Sequence, residues 1–171
     1  MRVSFPSTIR GPGLELRLLR PADAQAFYDL TNDPVIADII SFLIYPVPRA
    51  FADEWIAKNE GAQERVYGAY RDGVMVGYIG LHDEGSQGIE IGYWVGTAYA
   101  GQGIASGMVA LLTGAIEHTN PDARIFAECL PDNVGSWRVL EKNGFISTGD
   151  AGHRAGRIRL ERPIRQRPGR P

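Results

Sequence analysis

A single cysteine, Cys129, occurs in 171 residues. No disulfide can form within the chain, so a reducing compartment is expected and the fold must rest on its core. Cys129 lies in an apolar run, the setting of a packed thiol rather than a nucleophile. Lysine is scarce as well: Lys58 and Lys142 stand against 16 arginines, and the formal net charge is -2. The clustered surplus of positive charge that grips a phosphate backbone is therefore missing, and no nucleic-acid partner is expected. No apolar run approaches the roughly 20 residues of a helical membrane span, so no membrane partner is expected. Met1 to Arg10 lacks the apolar stretch of a signal peptide, and the expected location is the cytoplasm. The three histidines, His82, His118 and His153, share no metal-ligand spacing with the acids, so no metal is expected. What remains is ordinary globular composition, 44% hydrophobic and 22% charged, at a length that suits one domain.

The chain divides into an N-terminal extension (1–13), a domain (14–163) and an Arg/Pro tail (164–171) expected to be mobile. Leu14, Leu16 and Leu18 alternate with Glu15 and Arg17, which predicts a strand. Pro21 opens a helix to about Leu30. A short apolar segment follows from Val35 to Phe42, and Arg49 to Glu60 reads as another helix. This irregular region is a candidate acceptor wall, with Phe42, Tyr45 and Trp55 as its apolar surfaces. Val66–Tyr70 and Val74–Leu81 flank Asp72-Gly73, a dipeptide suited to a type I′ hairpin. Ile89 to Val95 is a third strand of the same antiparallel group. Ile104 to Ile116 then shows helical spacing. Arg124–Leu130 reads as a strand, and Asp132 or Asn133 can cap a helix ending near Asn143-Gly144. A strand pair over Phe145–Thr148 and Arg157–Glu161 closes the domain.

The most informative stretch is strand, glycine-rich turn, helix, from Ile89 to Ser106. Gly101 and Gly103 stand immediately before the helix, where unpartnered N–H groups and the helix dipole favour an anion. A tight connection that binds nothing has the same spacing. A Walker-type loop would need lysine after Gly103, and Ile104-Ala105 stands there. A dinucleotide fingerprint would need a later Gly or Ala where Ser106 stands, and the antiparallel hairpin precedes the turn where a Rossmann unit would begin.

Three segments together carry a resemblance: Ile89-Glu90-Ile91-Gly92-Tyr93-Trp94-Val95, Tyr99-Ala100-Gly101-Gln102-Gly103-Ile104-Ala105, and Asn133-Val134-Gly135-Ser136 through Leu140 to Asn143-Gly144-Phe145. In this order they resemble the GCN5-related N-acetyltransferase (GNAT) family, most like the branch that acetylates ribosomal-protein N-termini. The resemblance covers about residues 14 to 162. It implies a single α/β (α+β) domain with a mixed, mostly antiparallel sheet, splayed at its centre between Ile89–Val95 and Arg124–Leu130, and helices on both faces. It implies acetyl-coenzyme A as cosubstrate, with the pantetheine arm in the splay. The pyrophosphate would rest on backbone N–H groups of Ala100, Gly101, Gln102, Gly103, Ile104, Ala105 and Ser106, and Asn133 would contact the cofactor arm. Two positions depart from the family pattern. Ala100 stands where Arg or Gln usually begins the turn. Leu140 stands where many relatives have a tyrosine that protonates the departing thiolate.

The chemistry implied is aminolysis of a thioester by a primary amine in a ternary complex. Backbone N–H groups near Trp94 and Val95 would polarise the carbonyl. Glu90 is the expected base, since its alternation with Gly92 and Trp94 puts it on one face of the strand. A surface-facing or salt-bridged glutamate is the plainer alternative, and His82 is the other candidate base. Ser136, one helical turn after Asn133, resembles the serine assigned as thiolate acid in the N-terminal-acetylating branch. The acceptor is open between a protein N-terminus and a small-molecule amine, and so is a homodimer, common in the family. A non-catalytic acyl-coenzyme A-binding module is the alternative function.

Overall fold

The computed structural model describes residues 5–164; residues 165–171 of the Arg/Pro tail, and with them its expected mobility, lie outside the described residues. Pro12-Gly13 connects β1 (Thr8–Gly11) to β2 (Leu14–Leu18), with Gly11 paired to Leu14 across the two-residue turn. Residues Thr8–Gly11 of the segment expected as an extension thus form an edge strand. Within Thr8–Gly11 only Ile9 is a large apolar residue, too little for an alternation to register. After a short turn at Pro21–Asp23 come α1 (Ala24–Thr31), α2 (Pro34–Ile39) and α3 (Phe51–Ala57). The apolar segment after Asp33 is helical because Pro34 pre-sets the first helical φ and the Asp33 carboxylate accepts from the Val35 N–H at 2.8 Å.

β3 (Glu64–Arg71) and β4 (Val74–Asp83) form the expected hairpin. Asp72 and Gly73 take φ of 50° and 78°, the left-handed pair that a type I′ turn requires. β5 (Ile89–Val95) continues the antiparallel run, pairing His82 with Glu90 and Gly77 with Val95 without a register shift. α4 (Ile104–Thr119), β6 (Ile125–Cys129), α5 (Val134–Lys142), β7 (Ile146–Ala151) and β8 (Ile158–Arg162) complete the chain. The eight strands form one mixed sheet in the order β1-β2-β3-β4-β5-β6-β8-β7, whose β5–β6 contact is parallel.

Each face of the sheet has its own core. On one, α4 and α5 bury Met108, Leu112, Ile116 and Leu140 against Leu16, Ile79, Ile91 and Leu160. On the other, α1 to α3 bury Phe27, Ile36 and Ile56 against Tyr70, Tyr78 and Trp94. β5 serves both, because alternation sends Ile89 and Ile91 to the first and Trp94 to the second. The single α/β domain with a mixed sheet and helices on both faces is the architecture expected.

Candidate active site

β5 and β6 are paired at only two positions, Ile89 with Ile125 and Glu90 with Phe126. They meet closely at this end because Gly88 has no side chain. A Cβ there would lie 2.5 Å from the Arg124 carbonyl oxygen. Beyond Glu90 the two strands share no further register pairs, although both continue. The Ile89 N–H donates to the Arg124 oxygen on the β6 side, and the Gly96 N–H donates to the Val76 oxygen on the β4 side. Backbone groups of odd-numbered β5 residues therefore face β6, and those of even-numbered residues face β4. Tyr93 and Val95 turn their amides into the gap. Trp94 does not: its N–H belongs to the β4 ladder, and its indole donates to Thr31 Oγ1 at 3.2 Å in the opposite core. Of the two N–H groups expected to polarise a carbonyl, only that of Val95 faces the gap.

The glycine turn follows β5. Gly101 and Gly103 have φ of 73° and 76°, and an ideal Cβ on either would meet no atom within 4 Å. The open side of the turn is thus clear to an approaching group. Gly103 immediately precedes α4, and no side chain caps that helix, so the first amides, Ile104, Ala105 and Ser106, face outward at the positive end of a 16-residue dipole. An anion fits there. One expected backbone donor is turned away, and one side chain of the turn folds back on it. The Ala100 N–H donates to the Thr97 oxygen at 3.3 Å. The Gln102 side chain reaches back to the Ala98 oxygen at 3.5 Å.

α5 closes the other side of the gap. Asn133 is its N-cap, with Oδ1 accepting from the Ser136 N–H at 3.1 Å. The cap draws Ser136 to the first turn, where its Oγ lies 2.8 Å from the Tyr93 hydroxyl. Tyr93 was missed in the sequence reading because it is 43 residues from its partner; its odd position on β5 was the available signal. Burial pushes the Tyr93 phenol well above the usual tyrosine value, and burial likewise raises the Cys129 thiol nearby. Leu140, in the family's tyrosine position, is 1% exposed and packed in the core.

One cleft of about 160 Å³ joins these residues to the opposite face, running from Asn133, Ser136 and Cys129 past β5 to Glu90, Phe42 and Trp55. Phe42 and Trp55 stack at 5.0 Å and form one wall, while Tyr45, the third expected wall residue, is half exposed and does not line the cleft. Glu90 faces this side, as its alternation with Trp94 predicts. Its carboxylate, however, is held at two points by Arg154, at 2.5 and 3.2 Å, rather than standing free. The same guanidinium reaches Glu128 at 3.2 Å. Glu128 also accepts backbone N–H groups of His153 and Arg154 at 2.5 and 3.1 Å. Gly152 permits this approach, since a Cβ there would lie 2.6 Å from the Glu128 carboxyl. His82, opposite Glu90 on β4, lies 3.2 Å from Glu64, which also binds Lys58 at 3.1 Å. Among the described residues no group of three or more His, Cys, Asp or Glu could hold a metal ion.

The geometry agrees with the comparisons. Residues 13–146 match the family described as acetyltransferase (GNAT) domain. YdaF of Bacillus subtilis strain 168, named as a ribosomal N-acetyltransferase, is 27% identical over 81% of this chain and 80% of its own length. YjcK of the same organism, named as an N-acetyltransferase, is 43% identical over a shorter stretch, 36% of this chain and 34% of YjcK. Among solved structures, the ribosomal L7/L12 alpha-N-protein acetyltransferase RimL in complex with coenzyme A superposes with a TM-score of 0.79 at 20% identity, over 92% of this chain and 98% of RimL. The family match spans well over half of the sequence and its fold is the one described: the chain belongs to the GNAT acetyltransferases, a family of acyltransferases.

Proposed function

We propose that this chain transfers the acetyl group of acetyl-coenzyme A to a primary amine by direct attack in a ternary complex. The observation that carries this reading is the gap between β5 and β6, lined on one side by the amides of Tyr93 and Val95 and leading to the uncapped start of α4. An extended amide-bearing arm would complete the ladder at Tyr93 and Val95, and a pyrophosphate would take the N–H groups of Gly101 to Ser106. Asn133, with Oδ1 committed to its cap, would offer its amide nitrogen to the arm. Bound there, acetyl-coenzyme A supplies an electrophilic thioester carbonyl.

The chain's own residues divide the remaining work. The Val95 N–H would polarise the carbonyl. Glu90, oriented by Arg154, would take the amine's proton, directly or through water, and His82 is its neighbour on the same cleft wall. Ser136 would hydrogen-bond the departing sulfur. The face bearing Phe42 and Trp55 would receive the acceptor. Two buried donors on that face, Trp55 Nε1 and Arg157 Nε, have no hydrogen-bond partner among the described residues. Carbonyl oxygens beside the amine would satisfy them, which favours a protein N-terminus over a polyamine, in keeping with the names of YdaF and RimL. A reducing cytoplasmic setting suits the single buried thiol.

The test is an amine panel with acetyl-coenzyme A, read by release of free thiol. Acetylation of peptides with a free N-terminus, and little or none of a polyamine, is the expected result. Coenzyme A binding without amine-dependent thiol release from any acceptor would leave the non-catalytic module as the better description.

A further inference from the structure

Leu140 removes the family's phenol from α5, yet a phenol still reaches the same corner from the opposite wall. We propose that Tyr93 is a positioning residue which aims the Ser136 hydroxyl proton at the sulfur of coenzyme A as the thiolate departs. This rests on the reading of the cleft as a thioester aminolysis site.

The argument begins with the bonding capacity of one serine. The Ser136 amide is committed to Asn133 Oδ1, which fixes the residue in the first turn of α5. Its hydroxyl has one proton and two lone pairs. The Tyr93 oxygen lies 2.8 Å from Ser136 Oγ and 3.3 Å from the Ser136 carbonyl oxygen. The shorter contact is the stronger, and the carbonyl already belongs to the helical ladder. If Tyr93 donates to Oγ, the serine proton cannot be spent on the phenol and is free to point elsewhere. The neighbours then decide where. Leu140 offers no acceptor. Cys129 interacts with the Ser136 side chain, but burial holds it as a thiol, with its own proton directed to backbone carbonyls at Leu130 and Asn133, so its sulfur is only a weak acceptor. A thiolate in the gap between β5 and α5, where the arm and its sulfur would lie, is the stronger acceptor and would draw the serine proton away from Cys129.

Tyr93 does not itself give up a proton. Burial raises its phenol far above an ordinary thiol of about 8.5, so transfer from tyrosine to thiolate would run uphill. In the step, the amine nitrogen bonds to the carbonyl carbon and the C–S bond breaks with its electron pair on sulfur. The proton lost by the amine balances the one that sulfur finally gains. Ser136 supplies a charge-assisted hydrogen bond to sulfur meanwhile, and Tyr93 keeps that bond aimed.

The test uses the full chain in a Cys129→Ala background, so that coenzyme A carries the only thiol. Calorimetry first measures coenzyme A binding; failure of the parent to bind would overturn the cleft reading and this inference together. With binding established, the thiol of bound coenzyme A is titrated by the ultraviolet absorbance of its thiolate. Ser136→Ala should raise that titration midpoint by roughly one pH unit, since a hydrogen bond to the charged form is lost. Tyr93→Phe, which keeps the ring, should raise it by a similar amount, and the double variant by no more than the larger single shift. With a reactive amine, Tyr93→Phe should lower kcat about 10–100-fold while KM for acetyl-coenzyme A stays within about two-fold. A Tyr93→Phe titration that superimposes on the parent overturns the proposal even if activity falls. Additive shifts in the double variant overturn it too, because the two hydroxyls would then act separately.

Discussion

A valine at position 103 would project its side chain into space where no protein atom lies within 4 Å of the ideal Cβ, but at a φ of 76°. The fold therefore meets strain and no clash, and Gly103→Val should cost about 1–3 kcal/mol of stability. The same branched side chain would stand where an anion approaches the first amides of α4. Coenzyme A affinity should drop at least about ten-fold in a protein that still melts cooperatively; unchanged affinity by calorimetry would remove the turn from the binding site. Glu90 presents a different problem, since its two oxygens share Arg154 with Glu128, whose side chain is 1% exposed. If Glu90 takes the amine proton, Glu90→Gln should reduce the acetylation rate about 10²–10⁴-fold near neutral pH and recover as pH rises and the amine loses its proton unaided. Superimposable pH–rate profiles would assign deprotonation to His82 or water. Arg154→Met should destabilise the fold by about 1–2 kcal/mol, discounted because the Arg154 side chain is 40% exposed. Thermal melts of the parent and Arg154→Met would measure the deficit, and an unchanged melting temperature would show that the guanidinium does not hold the two carboxylates together.

Elements with local signatures were legible in the sequence. Asp72-Gly73 announced its hairpin, the glycine pair announced the turn before α4, and Asn133 announced the cap of α5, because each is determined within a few residues. The Asp33 cap belongs to the same class, but its reach was hidden. Its other oxygen accepts from Thr97 Oγ1 at 2.7 Å, tying the start of α2 to the turn between β5 and the glycine loop. That hydrogen bond, foremost, lowers the Asp33 pKa below the ordinary aspartate value. A lowered folded-state value means that the contribution is complete above the unfolded pKa and is lost as pH falls through the folded one. Asp33→Ala should cost about 1 kcal/mol at neutral pH, and that cost should fade in acid. A cost independent of pH in thermal melts would show that the carboxylate charge is not what joins the two elements. Contacts across the fold left no such mark: Arg154 is 64 residues from Glu90, and nothing near either announces the other.

At the scale of the molecule, the sequence reading placed the boundary of the folded unit too late. β1 pairs along the whole of its length with β2, Pro6 accepts from the buried Tyr67 hydroxyl at 2.9 Å, and Gly11 packs so closely on α4 that a Cβ would lie 2.6 Å from Leu111. Four residues with one strong apolar position carry little periodicity, so only the assembled sheet reveals them. Removing residues up to 11 should lower the melting temperature and expose β2 as a new edge, with a rise in aggregation detectable by light scattering. An unchanged melting temperature would return that segment to the status of an extension.

The two-position contact between β5 and β6 makes β5 central and peripheral at once. Five of the eight strands lie on its side of the division and three on the other, counting β5 with the first group. Half of its length nevertheless offers free backbone groups, as a rim strand does. Ordinarily such an exposed rim recruits other chains. Here it is recessed, with the Arg154 loop on one flank and the Tyr93–Ser136 bridge on the other, so only something as slender as a single extended arm can reach it. Without ligand, the Tyr93 and Val95 amides should exchange with deuterium faster than Gly92 and Trp94 beside them, in a tooth-by-tooth pattern along one strand. Coenzyme A should erase the pattern, its arm serving as a ninth strand that the polypeptide itself does not encode.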